Sequence, residues 1–367
     1  MKVGVVTFHN AHNYGASLQT WALQKVLKNM GADPCVVHYH PFIIDRLYMA
    51  PKQDTFKKKI KYVLKKKYRD RVKMQVYKNR KYRNFIRDNF KLVGDFTTYE
   101  ELKNGKLGLD AYITGSDQVW NSDHTDGFDP AYTLDFAEPS AKKISYAASV
   151  GREYILPQYR EQFAQSLASY TAISVREASA RPAIEALTEH PVEVVLDPTL
   201  LLDRKDYEEL KKPGLFEGQR YILVYMMETN KELVQFANRL SVAIGIPVIQ
   251  RKPPTVFRNE LGSYYTDTAA EFLSEIEHAE YVLTNSFHAT VFSLIYEKPF
   301  ISMLHTSTGA RTSDLLKSVG LESHIVYNPN EFHDIHQFDI EDKEELRKRI
   351  HELQKTSYEF LHRALGI

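Results

Sequence analysis

Five short polar runs in this chain carry side chains able to move protons or grip an anion. They are His9-Asn10-Ala11-His12-Asn13-Tyr14-Gly15, Gly115-Ser116-Asp117-Gln118-Val119-Trp120-Asn121, Ser149-Val150-Gly151-Arg152, Arg176-Glu177 and Thr284-Asn285-Ser286-Phe287-His288. Each stands at the end of a short β-rich stretch. In an open α/β sheet the carboxyl ends of the strands face the ligand crevice. Several of the runs also precede a helical pattern, and the exposed N–H groups of a helix start favour phosphate or carboxylate. The chemistry implied is a small anionic substrate, held by guanidinium and backbone N–H groups beside a titratable imidazole. His288 is the sharpest case, because it sits at the joint between the strand-like Tyr281–Leu283 and an apolar helical pattern over 289–297.

Each residue also has a structural reading. Ser116 and Asp117 are the types that cap a helix. Trp120 fits a core or rim aromatic, Arg176 an interdomain salt bridge, Arg152 the surface, and His288 a hydrogen-bonded core histidine between Phe287 and Ala289. The functional reading rests on their shared placement at strand ends.

Other chemistries lack their signatures. No Gly-x-Gly-x-x-Gly follows a strand, no phosphate-binding loop ends in Gly-Lys-Ser/Thr, and no Gly-x-Ser-x-Gly is present, so dinucleotide, P-loop and α/β-hydrolase chemistry are unsupported. His38 and His40 share a strand face, and His333 and His336 are close in sequence. Neither pair has a companion carboxylate at a recognisable spacing, so no metal and no cofactor are expected.

The elements that would position these groups alternate strand and helix, which argues for parallel sheets covered on both faces. In the front half the strands are Val3–Phe8, Cys35–Tyr39, Ala111–Thr114, Lys143–Ala148, Ala172–Val175 and Val192–Leu196, with a helix over Ala16–Met30 stopped by Gly31. Lys211-Lys212-Pro213-Gly214, with Gly218 soon after, reads as a linker. Strands Tyr221–Met226, Pro247–Gln250, Tyr281–Leu283 and Phe300–Leu304 alternate with helices over 230–244, 268–278, 289–297 and 311–319. A charged helix from about Glu341 to Ala364 ends the chain. The expected domains are 1–210 with a basic helical insertion at about 52–91, 218–340, and a 341–367 helix packing back on the first domain.

The 52–91 stretch is rich in Lys and Arg, yet Ile60, Val63, Leu64 and Tyr68 mark one apolar helical stripe. It reads as long helices with the stripe inward and a basic outer face, either simply solvated or a seat for anionic membrane or a phosphate-bearing lipid carrier. With 43% apolar and 26% charged residues and a net charge of +1 over 367 residues, the chain is an ordinary globular one and a poor fit to nucleic acid. The single cysteine, Cys35, allows no internal disulfide, and no apolar run reaches the ~18 residues of a membrane span. A cytoplasmic protein, peripheral at most at the inner face of the cell membrane, is expected.

Asn13-Tyr14-Gly15-Ala16 with Leu18-Gln19, Gly115 to Asn121, Ser145-Tyr146-Ala147-Ala148-Ser149, Ser174-Val175-Arg176-Glu177 and Thr284 to His288 stand in this order. Together they resemble the polysaccharide pyruvyltransferase family. The resemblance implies two Rossmann-like domains in a glycosyltransferase-B-like arrangement with an interdomain cleft. It also implies transfer of the enolpyruvyl carbons of phosphoenolpyruvate onto a sugar as a pyruvate ketal. By the same resemblance, Arg176 and His288 contact the donor. Many members carry Arg-Leu before that His, where this chain has Ser286-Phe287, so Arg152, Arg311 or helix N–H groups are expected to replace the missing guanidinium.

The expected site follows from both lines. His288 is the general acid and Arg176 the anion clamp. Asn13, Gly15, Ser116, Arg152, Asn285, Ser286 and Arg311 are expected at the donor. Tyr14, Asp117, Gln118 and Trp120 are expected at the acceptor, a sugar on a lipid-linked oligosaccharide or nucleotide-sugar. The alternatives are a glycosyltransferase-B-type enzyme using a nucleotide-sugar donor, and a catalytically degenerate sugar-binding member.

Overall fold

The structure is a computed structural model, and it describes residues 1–50, 55–251, 267–328 and 335–367. The first half runs β1 (Lys2–Val6), α1 (Tyr14–Asn29), β2 (Asp33–Tyr39), α2 (Phe42–Asp45), α3 (Phe56–Leu64), α4 (Lys66–Asn89), β3 (Leu92–Phe96), α5 (Tyr99–Asn104), β4 (Ala111–Gly115), α6 (Ser122–Thr125), β5 (Lys142–Ala148), α7 (Arg160–Leu167), β6 (Ala172–Val175), α8 (Arg181–Glu185) and β7 (Val192–Val194). The second runs β8 (Ile222–Tyr225), α9 (Lys231–Ile244), β9 (Val248–Arg251), α10 (Ala269–His278), β10 (Tyr281–Thr284), α11 (Phe287–Ile295), β11 (Phe300–Ser302), α12 (Ala310–Ser318) and α13 (Lys343–Leu365).

The strands form two sheets, ordered β3-β2-β1-β4-β5-β6-β7 and β11-β10-β8-β9, and the described pairings are all parallel. A parallel sheet needs helices on both faces, so its central strands read as continuous apolar runs. β4 is buried at every residue and β1 at all but Lys2. In each sheet the strand order reverses direction beside the first strand, between β1 and β4 and between β8 and β10. A crevice forms at such a reversal, outside the strands' carboxyl ends. The polar runs after β1, β4 and β10 therefore lie at these two crevices.

The sheets meet through α1 and α11. Tyr14 stacks on Phe272 of α10, with ring centroids 4.6 Å apart, and Trp21 packs on Tyr207, which meets Phe292 of α11 edge-on at 5.0 Å. α11 is buried from Phe287 through Leu294, as a helix apolar on every side must be. α13 returns to the first sheet: Leu196 N–H donates to Ser357 Oγ at 3.0 Å, and Arg363 pairs with Glu193 at 2.6 Å.

Three expectations need correction. The strand β3 was not anticipated, because Leu92-Val93-Gly94-Asp95-Phe96 is a half-exposed edge strand with Gly and Asp, the residue types least typical of strands. α11 begins at Phe287 with Ser286 as its N-cap, so His288 lies in the first helical turn rather than before it. In the basic insertion, the expected stripe does not face the body: Ile60, Val63 and Leu64 are 41%, 66% and 76% exposed.

Candidate active site

The site is built around one carboxylate. Asp197 follows β7 and is 1% exposed. Its Oδ1 accepts from its own turn, from Thr199 N–H at 3.0 Å and Thr199 Oγ1 at 2.6 Å. Its Oδ2 accepts from Ser116 Oγ at 2.6 Å and from Arg176 Nη1 at 2.8 Å. His288 Nε2 stands 3.5 Å from the same oxygen, an ion-pair distance too long for a good hydrogen bond. Ends of β4, β6, β7 and β10 thus converge on a single atom, and the last of these belongs to the other sheet.

Arg176 is held on several sides. Nη1 also donates to the Ser116 carbonyl at 2.7 Å, and Nε reaches Glu177 Oε1 at 3.4 Å. Glu177 Oε1 in turn accepts from Ser149 Oγ. The guanidinium lies over the Phe287 ring at 4.4 Å, and that of Arg311 lies 5.6 Å from the same ring. Arg311 is fixed at Nε and Nη2 by the carbonyl and hydroxyl of Thr308, both at 3.1 Å. α12 itself is tied to the first half by Ser179 N–H donating to Asp314 at 2.9 Å. A cavity of about 100 Å³ opens onto Arg176, Asp197, Phe287 and Arg311.

The electrostatics follow from this crowding. Burial pushes the Asp197 pKa up; the facing His288, the Arg176 guanidinium and the Ser116 hydroxyl outweigh it and hold the carboxyl well below its usual range. Arg311 is lowered to about 10, first by burial and then by the like charge of Arg176. Arg176 Nη2, Glu177 Oε2 and His288 Nε2 are buried with no hydrogen-bond partner among the described residues. An unpaired buried polar atom costs about 1–3 kcal/mol, more when charged, so three around one carboxylate call for an explanation. A cluster of this kind can bind an anion on its cationic edge and pass a proton at the imidazole.

The remaining expected residues divide. Gly15 packs directly on His288: a Cβ there would lie 2.1 Å from Nδ1. Asn13 caps α1 by accepting from Gly15 N–H at 2.9 Å and Ala16 N–H at 3.3 Å, which satisfies its carbonyl oxygen locally. Asn285 is spent on the backbone of the loop after β8, accepting from Met227 N–H at 2.7 Å and donating to the Glu228 carbonyl at 2.9 Å. Ser286 caps α11 through Ala289 N–H. Arg152 pairs with Asp123 and lies 5.6 Å from the Tyr154 ring, outside the Asp197 cluster.

Of the expected acceptor residues, the two aromatics are enclosed. Trp120 is 2% exposed, donates Nε1–H to the Tyr132 carbonyl at 3.0 Å, and packs on Phe163. Tyr14 is 3% exposed in the contact between the sheets. Neither offers a face on which a sugar can stack. Asp117 and Gln118 are half-buried and bonded within their own turn, to Gln118 N–H at 2.8 Å and Asn121 Nδ2 at 2.9 Å respectively.

Asp197 itself was missed as a site residue. Its only signal was Asp-Pro-Thr at the end of a strand, which also reads as a turn. The histidine pair His38 and His40 has carboxylate companions after all, Asp95 from the unanticipated β3 and Asp45 from α2. His333 and the side chain of His336 lie outside the described residues.

Solved structures with a similar course of the chain are distant in sequence. The S. aureus MnaA–UDP structure shares 12% identity at a TM-score of 0.49, over 99% of this chain and 91% of that one. A UDP-GlcNAc 2-epimerase of Methanocaldococcus jannaschii, in complex with UDP-GlcNAc and UDP, shares 13% at 0.44, over 96% and 93%. Os79 of O. sativa, in complex with UDP and deoxynivalenol-3-glucoside, shares 12% at 0.43, over the whole of both chains. No curated protein sequence matches this chain. The family description "Polysaccharide pyruvyl transferase" matches residues 13–307, a span that holds all five polar runs from Asn13 onward together with Asp197, and the chain belongs to that family.

Proposed function

We propose that this protein transfers the enolpyruvyl carbons of phosphoenolpyruvate to two hydroxyls of one sugar, forming a pyruvate ketal and releasing phosphate. The observation that carries the reading is the convergence of Arg176, through Nη1, and His288, through Nε2, on Asp197, while Arg176 Nη2 and His288 Nε2 are buried with no hydrogen-bond partner among the described residues. The donor's carboxylate and phosphate are both planar-edged or tetrahedral oxyanions suited to a guanidinium fork. Arg176 and Arg311, whose guanidinium groups both lie against the Phe287 ring, supply two such groups, and Arg311 takes the place of the guanidinium absent at Ser286.

His288 acts as general acid toward the donor's methylene carbon. Protonation there makes C2 electrophilic; one sugar hydroxyl adds to C2, the C2–O bond to phosphate breaks, and a second hydroxyl closes the ketal. Of the two hydroxyl protons released, one balances that given to the methyl group and the other leaves with phosphate. Proton transfer accounts for about 10²–10⁴ in rate, and charge stabilisation by the guanidinium pair supplies more. Asp197 positions both Arg176 and His288. His288 and Arg176 are only 8% and 7% exposed, so donor entry requires the cavity at Arg176, Asp197, Phe287 and Arg311 to widen. Phosphate release from phosphoenolpyruvate in the presence of a panel of sugar acceptors tests the reading; a hydrolysed nucleotide-sugar in place of phosphoenolpyruvate would overturn it.

The acceptor is a sugar on a lipid-linked or nucleotide-linked precursor. A lipid-linked one fits α3, where exposed Ile60, Val63 and Leu64 stand among exposed Lys58, Lys61, Lys65 and Lys66. An apolar stripe beside lysines suits the surface of an anionic bilayer. No helix among the described residues is long and apolar enough to cross a membrane. Flotation with anionic vesicles, lost on serine substitution of the three apolar residues, is expected; equal flotation with neutral vesicles would remove this contact.

A further inference from the structure

About the ends of β1, β2 and β3, away from the Asp197 cluster, three imidazoles and two carboxylates are gathered with a purpose the transferase chemistry does not use. His38 and His40 lie two residues apart and so share one face of the strand. Their rings stack with centroids 4.4 Å apart. Across from them the β2–β3 register slips between Val37 and Tyr39, and Gly94 takes φ +70°. A bulge of this kind re-aims a side chain, and here it turns Asp95 onto the histidines' face. Asp95 Oδ1 stands 2.8 Å from His40 Nε2 and 3.8 Å from His38 Nε2.

We propose that His38 Nε2, His40 Nε2 and the Asp95 carboxylate form a binding site for a divalent transition-metal ion, zinc foremost. One donor atom from each of the three lies within 4.8 Å of the others. Four-coordinate zinc with bonds of 2.0–2.1 Å sets neighbouring donors about 3.3 Å apart. The present spacings to Asp95 fall on either side of that value, and Asp95 is the exposed member, free to adjust by a few tenths of an ångström.

The second layer is what distinguishes this cluster from a chance meeting of polar groups. A ligating histidine characteristically has its other ring nitrogen bonded to a carboxylate or similar partner, which fixes the tautomer and the ring. His40 Nδ1 lies 3.0 Å from Asp45 Oδ2, and His38 Nδ1 lies 2.9 Å from Nε2 of the fully buried His9. Asp45 is itself held by Asn10 Nδ2 at 2.6 Å. Both Nε2 atoms are thereby directed to the same side as Asp95. Two imidazoles and one carboxylate suit zinc or iron(II) and leave coordination positions open. His38 and His40 also line a hollow of about 430 Å³, with Arg83 and Arg87 on its wall, so water or an oxyanion in that hollow completes the shell.

The test uses tag-free full-length protein stripped with a chelator, then titrated with Co²⁺ by visible absorption and with Zn²⁺ in competition with a chromophoric chelator. One equivalent is expected, with the strong d–d bands of four- or five-coordinate Co²⁺. Asp95→Asn, an exposed change that leaves the fold intact, is expected to weaken Zn²⁺ binding more than about 100-fold, and His38→Ala likewise. Asp45→Asn, one layer out, is expected to weaken it about 10–100-fold. Absence of stoichiometric binding, or binding that survives both Asp95→Asn and His38→Ala, would overturn the proposal. None of these readouts depends on transferase activity.

Discussion

Gly15 and His288 are in contact across the two sheets, with the glycine's backbone taking the space where any other residue would place a Cβ 2.1 Å from the imidazole Nδ1. Gly15 lies in the first turn of α1 and is needed for close approach rather than for an unusual backbone angle. The contact seats His288 so that its other nitrogen faces Asp197.

Gly15→Ala is therefore expected to push the imidazole out of position. Overpacking costs about 1–3 kcal/mol, which denaturant unfolding would read, while turnover should fall well beyond what that loss explains. Normal turnover in a destabilised variant would detach His288 from the chemistry.

His288 and Arg311 are expected to separate kinetically. His288→Gln should lower kcat by about 10²–10⁴ with little change in the KM for phosphoenolpyruvate. Arg311→Ala should chiefly raise that KM, tenfold or more, because it removes a charged fork from the donor. The reverse pattern would exchange the two roles.

Arg176 and Asp197 form a buried pair whose single truncation leaves a charge uncompensated. Arg176→Ala is expected to cost about 3–5 kcal/mol. The double variant Arg176→Met with Asp197→Leu should recover only part of that stability, because apolar residues replace the ion pair but leave the Ser116 and Thr199 donors unpaired. It should stay inactive. Restored turnover in the double variant would make the pair purely structural.

Stability should also fall in acid through Asp197. Its folded pKa is depressed below the unfolded value of about 3.9, so the folded state binds fewer protons than the unfolded state there. The contribution is present above that pH and is lost as pH falls below it. Asp197→Asn is expected to flatten the acid limb of a stability–pH curve below about pH 4. An unchanged limb would show that other carboxylates set it.

How much of the fold and of the site is legible in the sequence follows from what a sequence encodes locally. The alternation of apolar runs and helical stripes announces every strand of both sheets except β3, and strand-end placement brings Arg176, His288, Ser116 and Gly15 to one region. What failed depends on distant partners. Trp120 and Tyr14 carry the same letters whether a core or a crevice receives them. Asp197 looks like a turn residue until Arg176 and His288 arrive from other elements. The edge strand β3 has too little apolar pattern to announce itself, and missing it also hid Asp95. Ile60, Val63 and Leu64 read as an inward stripe because periodicity gives a face but not what covers it.

The most direct measurement is calorimetric titration of the purified protein with phosphoenolpyruvate and, separately, with UDP. Stoichiometric binding of phosphoenolpyruvate, weakened by Arg311→Ala and by Arg176→Lys, with UDP silent, is the expected result. Saturable UDP binding with no heat from phosphoenolpyruvate would contradict the donor assignment and, with it, the role given to His288.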